Sequence, residues 1–276
     1  MNYRHIYHAG NFADVFKHAI ITLILERIVQ KDKPFSVLDS HAGAGLYDLT
    51  SDEAKRSPEF MEGIDLLLKQ PLIPEIQAYV DIIRSFQTNN TIVVYPGSPW
   101  IVKHFLRKQD DLIVNELHDK DAIQLKQQLK NYPNIHCHQR DAYEFLPALL
   151  PPKNKRGLII IDPPYEKEDE FKYLLNCISN CLQRFSTGIY LIWYPVVSNK
   201  HQQWVKQIIA NNDFPLLHAY FTRTAIAEEK QRLMGNGVVI INPPWQIDKK
   251  IKILTRYLCD LFKLNDSATW QVELKR

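Results

Sequence analysis

The stretch GLIIIDPPYE, residues 157–166, is an apolar run that stops abruptly at an acid, two prolines and an aromatic residue. Near the other end of the chain GVVIINPPWQ, residues 237–246, repeats this pattern with asparagine and tryptophan. Continuously apolar runs of this length are typical of strands buried on both faces, in a parallel sheet flanked by helices. The two runs therefore predict an α/β fold, and they raise the question of which Pro-Pro motif carries chemistry.

Around these runs, strand-like and helix-like stretches alternate along the chain. The last two predicted strands follow each other without a helix, so we expect them to form an antiparallel pair at one edge. We treat residues 1–276 as a single domain with a seven-stranded, mostly parallel sheet and a small helical insertion at about 50–96. The predicted strands are 35–40, 111–117, 134–141, 157–164, 188–195, 215–223 and 237–244, and the predicted helices include 13–30, 74–86, 98–108, 119–132, 142–150, 168–185, 199–212 and about 248–264.

Composition and charge narrow the class of protein. The chain carries 34 Lys and Arg against 31 Asp and Glu, a net charge of +3 that permits a nucleic-acid partner without arguing for one. Its four cysteines form no CxxC pair, so we expect reduced thiols rather than disulfides or zinc. No signal peptide and no apolar run long enough to cross a bilayer are evident, so we expect a cytoplasmic protein that does not bind membranes.

Small and acidic residues follow the first three predicted strands of the sheet. Gly43 and Gly45 come after the first strand, where they let the backbone approach a ligand closely or form an ordinary tight turn. Glu116 follows the second strand and suits ribose hydroxyls, although it could equally cap a helix. Asp141 and Ala142 follow the third, where the acid could accept from an adenine amine or act as an N-cap. Ligands bind beyond the carboxyl ends of such strands, so these residues are predicted to converge.

The motif after the fourth strand favours methyl transfer to a planar nitrogen. The lone pair of adenine N6 is delocalised into the ring, so the amine must become more tetrahedral before it attacks. Asp162 and the Pro163 carbonyl can each accept one N6 hydrogen, and Tyr165 can stack on a base that has left its own stack. No metal is needed. Asn242 is a poorer acceptor, so we expect the second motif to be structural, with prolines blunting an edge strand and Trp245 packed.

Several longer motifs together resemble one family. They are YRHIYHAGNFADVFKH (3–18), DSHAGAGLYDL (39–49), YPGSP (95–99), NELH (115–118), RDAY (140–143), IDPPY (161–165), WYP (193–195) and GNGVVIINPPW (235–245). The chain resembles the RlmJ family of bacterial 23S rRNA adenine-N6 methyltransferases over nearly its whole length. The resemblance implies a Rossmann-like fold, S-adenosyl-L-methionine as methyl donor without a metal, and a monomer acting on protein-free or partly assembled 23S rRNA.

Carried over to this sequence, the resemblance assigns site residues. Those that would contact the donor or the target amine are His18, His41, Ser98, Glu116, Asp141 with Ala142, and Asp162. Tyr3 would meet the RNA, with Lys17 close to the site. Residues 47–97 carry eight acids and four bases, so phosphate contacts should come from elsewhere. Candidates are Arg4, Lys17, Arg223, Lys230, Arg232, Lys249, Lys250 and Lys252. The alternatives are a DNA adenine-N6 methyltransferase and a non-catalytic RNA-binding assembly factor.

Overall fold

The computed structural model confirms an α/β architecture with helices on both faces of a central sheet. It describes residues 4–88, 91–166, 169–197, 199–210, 213–225 and 233–275, with the backbone alone for 199–202. The helices are α1 (Phe12–Val29), α2 (Asp52–Arg56), α3 (Ile64–Leu68), α4 (Pro74–Arg84), α5 (Ser98–Phe105), α6 (Asp119–Leu129), α7 (Ala142–Leu149), α8 (Glu170–Arg184), α9 (Asn199–Ala210) and α10 (Ile247–Phe262). The strands are β1 (Ser36–Asp39), β2 (Leu46–Asp48), β3 (Gln87–Thr88), β4 (Thr91–Ile92), β5 (Val94–Pro96), β6 (Asp111–Asn115), β7 (Ile135–His138), β8 (Gly157–Ile161), β9 (Ile189–Val196), β10 (Leu216–Thr222), β11 (Gly235–Ile241) and β12 (Trp270–Lys275).

The described part of the main sheet has eight strands in the order β12-β10-β11-β9-β8-β1-β6-β7. The five strands from β9 to β7 are parallel to one another. Strand β11 runs antiparallel to β9 and to β10, and β12 runs antiparallel to β10. We call the side of the sheet at which these five strands end the carboxyl edge, and the opposite side, at which they begin, the amino edge. Both names refer to the ends of strands and not to the outermost strands of the sheet.

The sheet differs from the prediction at its C-terminal side. The antiparallel pairing of β10 with β11 is confirmed. The pair is not the outermost part of the sheet, because β12 pairs with β10 on one side and β11 pairs with β9 on the other. Seven strands were predicted, and the sheet has an eighth at residues 270–275. That stretch, WQVELK, alternates apolar and polar residues, which is typical of a half-buried strand.

The core explains why the strand runs are apolar throughout. Side chains of β8 alternate between two hydrophobic clusters, with Leu158 and Ile160 in one and Ile159 and Ile161 in the other, and all four are fully buried. Helix α1 is buried around nearly its whole surface because it lies among the sheet, α4, α5 and α10. Within the described ranges, none of the helices combines the length and apolar character that a membrane crossing needs.

The segment predicted as an insertion lies between β2 and β5, which pair antiparallel from Leu46 opposite Pro96 to Asp48 opposite Val94. It contains α2, a short 3-10 helix at Glu59–Glu62, α3, α4 and the β3–β4 pair. Most of its buried residues, including Ile64, Tyr79 and Ile83, belong to the same hydrophobic cluster as α1. The domain boundaries at about 50 and 96 stay a prediction.

Candidate active site

A cavity of about 560 Å³ opens at the carboxyl edge of the parallel strands. Nine of the predicted site residues line it: Lys17, His18, His41, Gly43, Ser98, Glu116, Asp162, Pro163 and Tyr165. The carboxyl ends of β1, β6 and β8 meet here because these strands are parallel neighbours in the sheet. The structure therefore brings together residues from distant parts of the chain, as the strand-end pattern predicted.

The glycine loop after β1 is shaped around backbone that only glycine adopts readily. Gly43 has a φ of +61°, and a Cβ there would lie 2.0 Å from the Tyr47 hydroxyl. The Glu116 carboxylate accepts the N–H of Gly43 at 2.8 Å and that of His118 at 2.8 Å. Burial raises the pKa of Glu116, although these two N–H groups favour its charged form. The acid thus ties the glycine loop to the end of β6.

Behind the loop lies a buried carboxyl that sequence reasoning missed. Asp39 ends β1, is fully buried, and accepts a hydrogen bond from the Ser98 hydroxyl at 2.6 Å. Burial raises the pKa of Asp39 to about 7, against the lowering effect of Ser98. Burial also lowers the pKa of His41 to about 4, so this ring is held neutral in the cavity wall. The sequence did contain a signal for Asp39, because this acid is the first residue of the DSHAGAG stretch that follows the first strand.

The catalytic candidate Asp162 lies in an ion-paired cluster with helix α1. The Lys17 ammonium is 2.5 Å from Asp162 Oδ2 and 2.9 Å from Asp14 Oδ1, with its side chain only 6% exposed. Burial would lower the pKa of Lys17, but the two carboxylates outweigh it and raise that pKa. The same ammonium lies 5.8 Å from the centroid of the Trp193 ring. Lys17 was predicted close to the site, and the structure shows it holding Asp162 directly.

Asp14 completes this cluster and was not predicted. Burial would raise the pKa of Asp14, yet nearby His5 and Lys17 hold it well below its ordinary value. Its carboxylate also accepts the N–H of Gly10 at 2.9 Å. Two charged residues three positions apart, in the first half of a helix without a polar face, were the sequence signal that could have found it.

His18 is buried at the back of the cavity. Its Nδ1 is hydrogen-bonded to the Tyr95 hydroxyl at 2.7 Å, and that hydroxyl is 3.0 Å from the Tyr79 hydroxyl. Burial lowers the pKa of His18 to about 3, so the ring is neutral. The interaction orients the imidazole from behind and fixes the shape of the cavity wall.

The Pro-Pro-Tyr turn after Asp162 is anchored to β9. Tyr165 adopts a left-handed φ of +54°, and its hydroxyl donates to the Trp193 carbonyl at 2.7 Å. The two rings lie 6.2 Å apart at 55°. Together they form an aromatic wall beside the Asp162 carboxylate.

The remaining predicted residues do not line the cavity. Asp141 is exposed and caps α7, accepting the N–H of Tyr143 at 2.8 Å, and Ala142 is buried in the first turn of that helix. Gly45 supports the loop from the side of α6. Arg4 lies 3.7 Å from Glu53. Tyr3 lies outside the described residues, as do Lys230 and Arg232.

The second Pro-Pro motif lies at the amino edge, far from the cavity. Because β11 runs antiparallel, Ile241 pairs with Tyr190 near the start of β9. The Asn242 amide donates to the carbonyls of Ser186 and Gly188, both at 2.8 Å, so the expected structural role has a physical basis. The expectation of an edge strand was wrong, because β11 is an interior strand, and the Trp245 side chain is 67% exposed.

The cavity lining is strongly acidic. Its charged groups are the five carboxylates of Asp14, Glu59, Glu116, Asp121 and Asp162 against the single ammonium of Lys17. The hydrogen bond that the His8 ring donates to the Glu59 carboxylate raises the pKa of His8 at the rim. No three His, Cys, Asp or Glu side chains in the described ranges are grouped so as to hold a metal ion. The lining therefore favours a positively charged ligand that can also form hydrogen bonds with the backbone of the surrounding loops.

Known proteins match the chain over nearly its full length. The family model described as "Ribosomal RNA large subunit methyltransferase D, RlmJ" matches residues 32–274. The chain is 37% identical to Ribosomal RNA large subunit methyltransferase J of Escherichia coli strain K12, over 94% of this chain and 92% of that protein. It is 34% identical to the protein of the same name from Haemophilus influenzae, over 99% and 98%.

A solved structure agrees with these matches. The crystal structure of a protein from Legionella pneumophila strain Philadelphia 1 is similar with a TM-score of 0.88 and 34% identity, covering 96% of this chain and 98% of that one. The family match spans far more than half of the residues, and both relatives exceed 30% identity over almost the whole chain. This chain therefore belongs to the RlmJ family of ribosomal RNA large-subunit methyltransferases.

Proposed function

We propose that this protein transfers a methyl group from S-adenosyl-L-methionine to the exocyclic N6 of one adenine in 23S rRNA. The observation that carries the proposal is the Asp162 carboxylate at the end of β8, in a cavity that also contains the glycine loop of β1. Family membership supports the reaction and the class of RNA. The DPPY sequence supports adenine N6 as the acceptor, because it supplies hydrogen-bond acceptors and an aromatic ring at one point.

The cavity residues fit a methyl donor of this kind. A volume of about 560 Å³ lies within the roughly 300–1,000 Å³ usual for ligand sites. The excess of carboxylates suits a cation, and the bound donor supplies a methyl group on a positively charged sulfur that is already reactive. We propose that His18, His41, Gly43, Ser98 and Glu116 hold it, with Gly45, Asp141 and Ala142 shaping the adjoining loops.

Glu116 and the glycine loop would position the donor. Two N–H groups hold the Glu116 carboxylate in place, and its remaining lone pairs can accept from hydroxyls. The positive φ of Gly43 keeps the loop backbone close to the cavity without a side chain in the way. The neutral His41 ring, held by burial, adds a wall without adding a charge that would repel a cation.

Asp162, Pro163 and Tyr165 would act on the target base. Asp162 and the Pro163 carbonyl accept the two N6 hydrogens, which directs the nitrogen lone pair toward the methyl group. Tyr165 would stack on the flipped base. In this structure Lys17 occupies one oxygen of Asp162, so the ammonium must share or release that oxygen when an amine arrives. The protein's remaining contribution to catalysis would be to position the amine and the methyl donor relative to each other.

We further propose that the protein acts as a cytoplasmic monomer on protein-free or partly assembled 23S rRNA. Tyr3 and Arg4, at the N-terminal segment, would contact the RNA near the cavity. The segment 50–96 would be a helical insertion that carries no RNA clamp, since its acids outnumber its bases. No metal is assigned a part in the reaction.

The test is methylation of deproteinised 23S rRNA with a radiolabelled donor. We expect label in the RNA that co-migrates with N6-methyladenosine after digestion to nucleosides, and none in duplex DNA. The Asp162→Ala variant is the negative control that gives the background incorporation of label. Label in DNA alone, or in a nucleoside other than N6-methyladenosine, contradicts the proposal. Comparing 23S rRNA from cells with and without the gene then maps the adenine.

A further inference from the structure

The amino edge of the sheet, opposite the cavity, carries an excess of positive over negative charge that the rest of the chain lacks. Four segments lead into β1, β6, β7 and β8 there: residues 31–34, 106–111, 130–135 and 151–157, which we call the amino-edge basic surface. They hold eight Lys and Arg and three Asp residues. The rest of the chain holds 26 Lys and Arg against 28 Asp and Glu. The net positive charge of the protein therefore resides in this surface.

Hydrogen bonds between the segments make this surface one rigid platform. Arg107 donates to the carbonyls of Lys31 and Lys33 at 3.1 and 3.0 Å, and Arg156 donates to the Lys33 carbonyl at 2.6 Å. Asn134 donates to the Asp110 carbonyl at 2.8 Å, which joins the segment before β7. These four segments are remote in sequence, so the structure alone reveals the cluster.

The lysines of this platform are available while its acids are engaged. Six lysines are exposed, and none forms an ion pair with a residue in the described ranges: Lys31, Lys33, Lys108, Lys130, Lys153 and Lys155. Asp110 is fully buried and paired with Arg107 at 2.8 Å. Asp111 accepts the amide of Asn154 at 3.1 Å. Only Asp32 is fully exposed among the three acids.

Two of the cations predicted to contact phosphate are engaged elsewhere, whereas Lys249 and Lys252 are exposed on α10. Lys17 is buried between two carboxylates, and Arg223 pairs with Glu62 at 3.0 Å while bonding to the Phe262 carbonyl. The cavity mouth is acidic and repels a phosphate backbone. A cationic surface away from the cavity would therefore add affinity for RNA.

We propose that the amino-edge basic surface binds the phosphate backbone of the RNA substrate at a site away from the target adenine. The proposal rests on the proposed function. Strands of five residues separate the two edges by roughly 16 Å, so a large folded RNA can touch both edges of one molecule. The lysines supply point charges for phosphates, and no base-reading groups are required, so this contact holds the RNA without selecting its sequence.

The test neutralises three lysines from three segments, Lys33→Gln, Lys108→Gln and Lys155→Gln together. The matched control is Lys69→Gln, Lys172→Gln and Lys206→Gln, three exposed lysines on other surfaces. Substrates are full-length 23S rRNA and a short stem-loop that carries the mapped adenine. We expect KM for the long RNA to rise about tenfold with kcat unchanged, and no change on the stem-loop. The salt dependence of binding should weaken by a slope of about 2.

The triple Lys→Arg variant should behave as the unchanged protein, because it keeps the charges. An unchanged KM and salt slope in the Gln variant overturns the proposal, as does an equal loss in the control variant. Binding of the unchanged protein, lost in the Gln variant, to phosphatidylglycerol vesicles with no effect on RNA would assign the surface to membranes instead. Failure of the unchanged protein to methylate either RNA would refute the proposed function, a separate result.

Discussion

Asp162 and Asn242 each follow a buried apolar strand and precede Pro-Pro and an aromatic residue, yet they lie at opposite edges of the same sheet. The difference is the direction of the strand. Strand β8 is parallel to its neighbours, so its motif opens into the cavity formed by the ends of β1 and β6. Strand β11 is antiparallel to β9, so its motif lies where the parallel strands begin. Local sequence supplies a turn, and topology decides whether that turn meets a ligand.

The two side chains also have opposite partners. The Asp162 carboxylate faces a buried ammonium inside the cavity. The Asn242 amide donates to two backbone carbonyls and, with a φ of +55°, closes the turn after β11. We therefore expect changes at Asp162 to remove activity while the fold persists, and changes at Asn242 to weaken the fold while each folded molecule stays active.

The largest expected effect is the loss of methyl transfer in Asp162→Ala. Removing an acceptor that orients the amine in the transition state should lower kcat at least a thousandfold. Donor affinity, measured by calorimetry, should be largely retained. Asn242→Ala should keep kcat within about threefold, since a residue remote from the reacting atoms contributes little differential binding. Equal loss of kcat from both variants would show that strand direction does not separate the motifs.

Lys17→Met tests the charge cluster at the carboxyl edge. It leaves Asp14 and Asp162 without their shared cation, and removing one partner of a buried ion pair is strongly destabilising. We expect the free energy of unfolding to fall by roughly 3 kcal/mol at pH 7, the lower part of the usual range, because Asp162 is 17% exposed to water.

The control for this prediction is Lys250→Met. Lys250 lies 3.9 Å from Glu26 near the end of α1, and both side chains are substantially exposed. Exposed pairs contribute little, so unfolding in urea should change by less than about 0.5 kcal/mol. Similar losses for both variants would mean that burial does not distinguish the two pairs.

Much of this arrangement could be predicted from the sequence. Gly43, Glu116 and Asp162 each follow an apolar run, and parallel strands bring such positions to one edge. The burial of Asp14 and Lys17 was also signalled, because they lie in a helix with no polar face. The pairing of Lys17 with Asp162 was not predictable locally, since the contact spans 145 positions and depends on how α1 crosses the sheet.

The errors have one physical origin. The residues of a strand do not by themselves determine its direction or its neighbours in the sheet. For this reason β11 was predicted to be an edge strand, and β12 was not predicted in the C-terminal tail. The amino-edge basic surface shows this limit most clearly, because its lysines come from four separate loops.

Asp39→Asn should change the pH dependence of stability. The folded pKa of Asp39, about 7, lies above its ordinary value of 3.8, so its protonated form stabilises the fold below about pH 4. That contribution is lost as pH rises through 7, because the buried carboxyl then ionises. Asparagine does not ionise, so the variant shows no such loss. We expect the stability of Asp39→Asn to gain on that of the unchanged protein between pH 4 and pH 8 by about 1.4 kcal/mol for each pKa unit that separates the folded from the unfolded carboxyl, measured by urea unfolding.

The result for Asp39 also bears on the comparison of the two edges, because this carboxyl lies beneath the cavity. A pH-independent difference between the two proteins would show that Asp39 is already ionised in the fold. Ser98→Ala offers a second check. It removes the hydrogen bond that favours the charged form, so the pH at which stability declines should move upward.

Asn242→Ala should give the smallest effect, a loss of about 1 to 2 kcal/mol in the free energy of unfolding. The cost has two parts, the unpaired carbonyls of Ser186 and Gly188 and the left-handed backbone that asparagine tolerates better than alanine. Asn242→Gly keeps the backbone freedom and loses only the hydrogen bonds, so it separates the two parts. Because this turn is at the amino edge, the methylation rate per folded molecule should be unchanged in both variants. A lower kcat for protein that is fully folded would mean that the turn communicates with the cavity through β9, and the separation between the two motifs would then be incomplete.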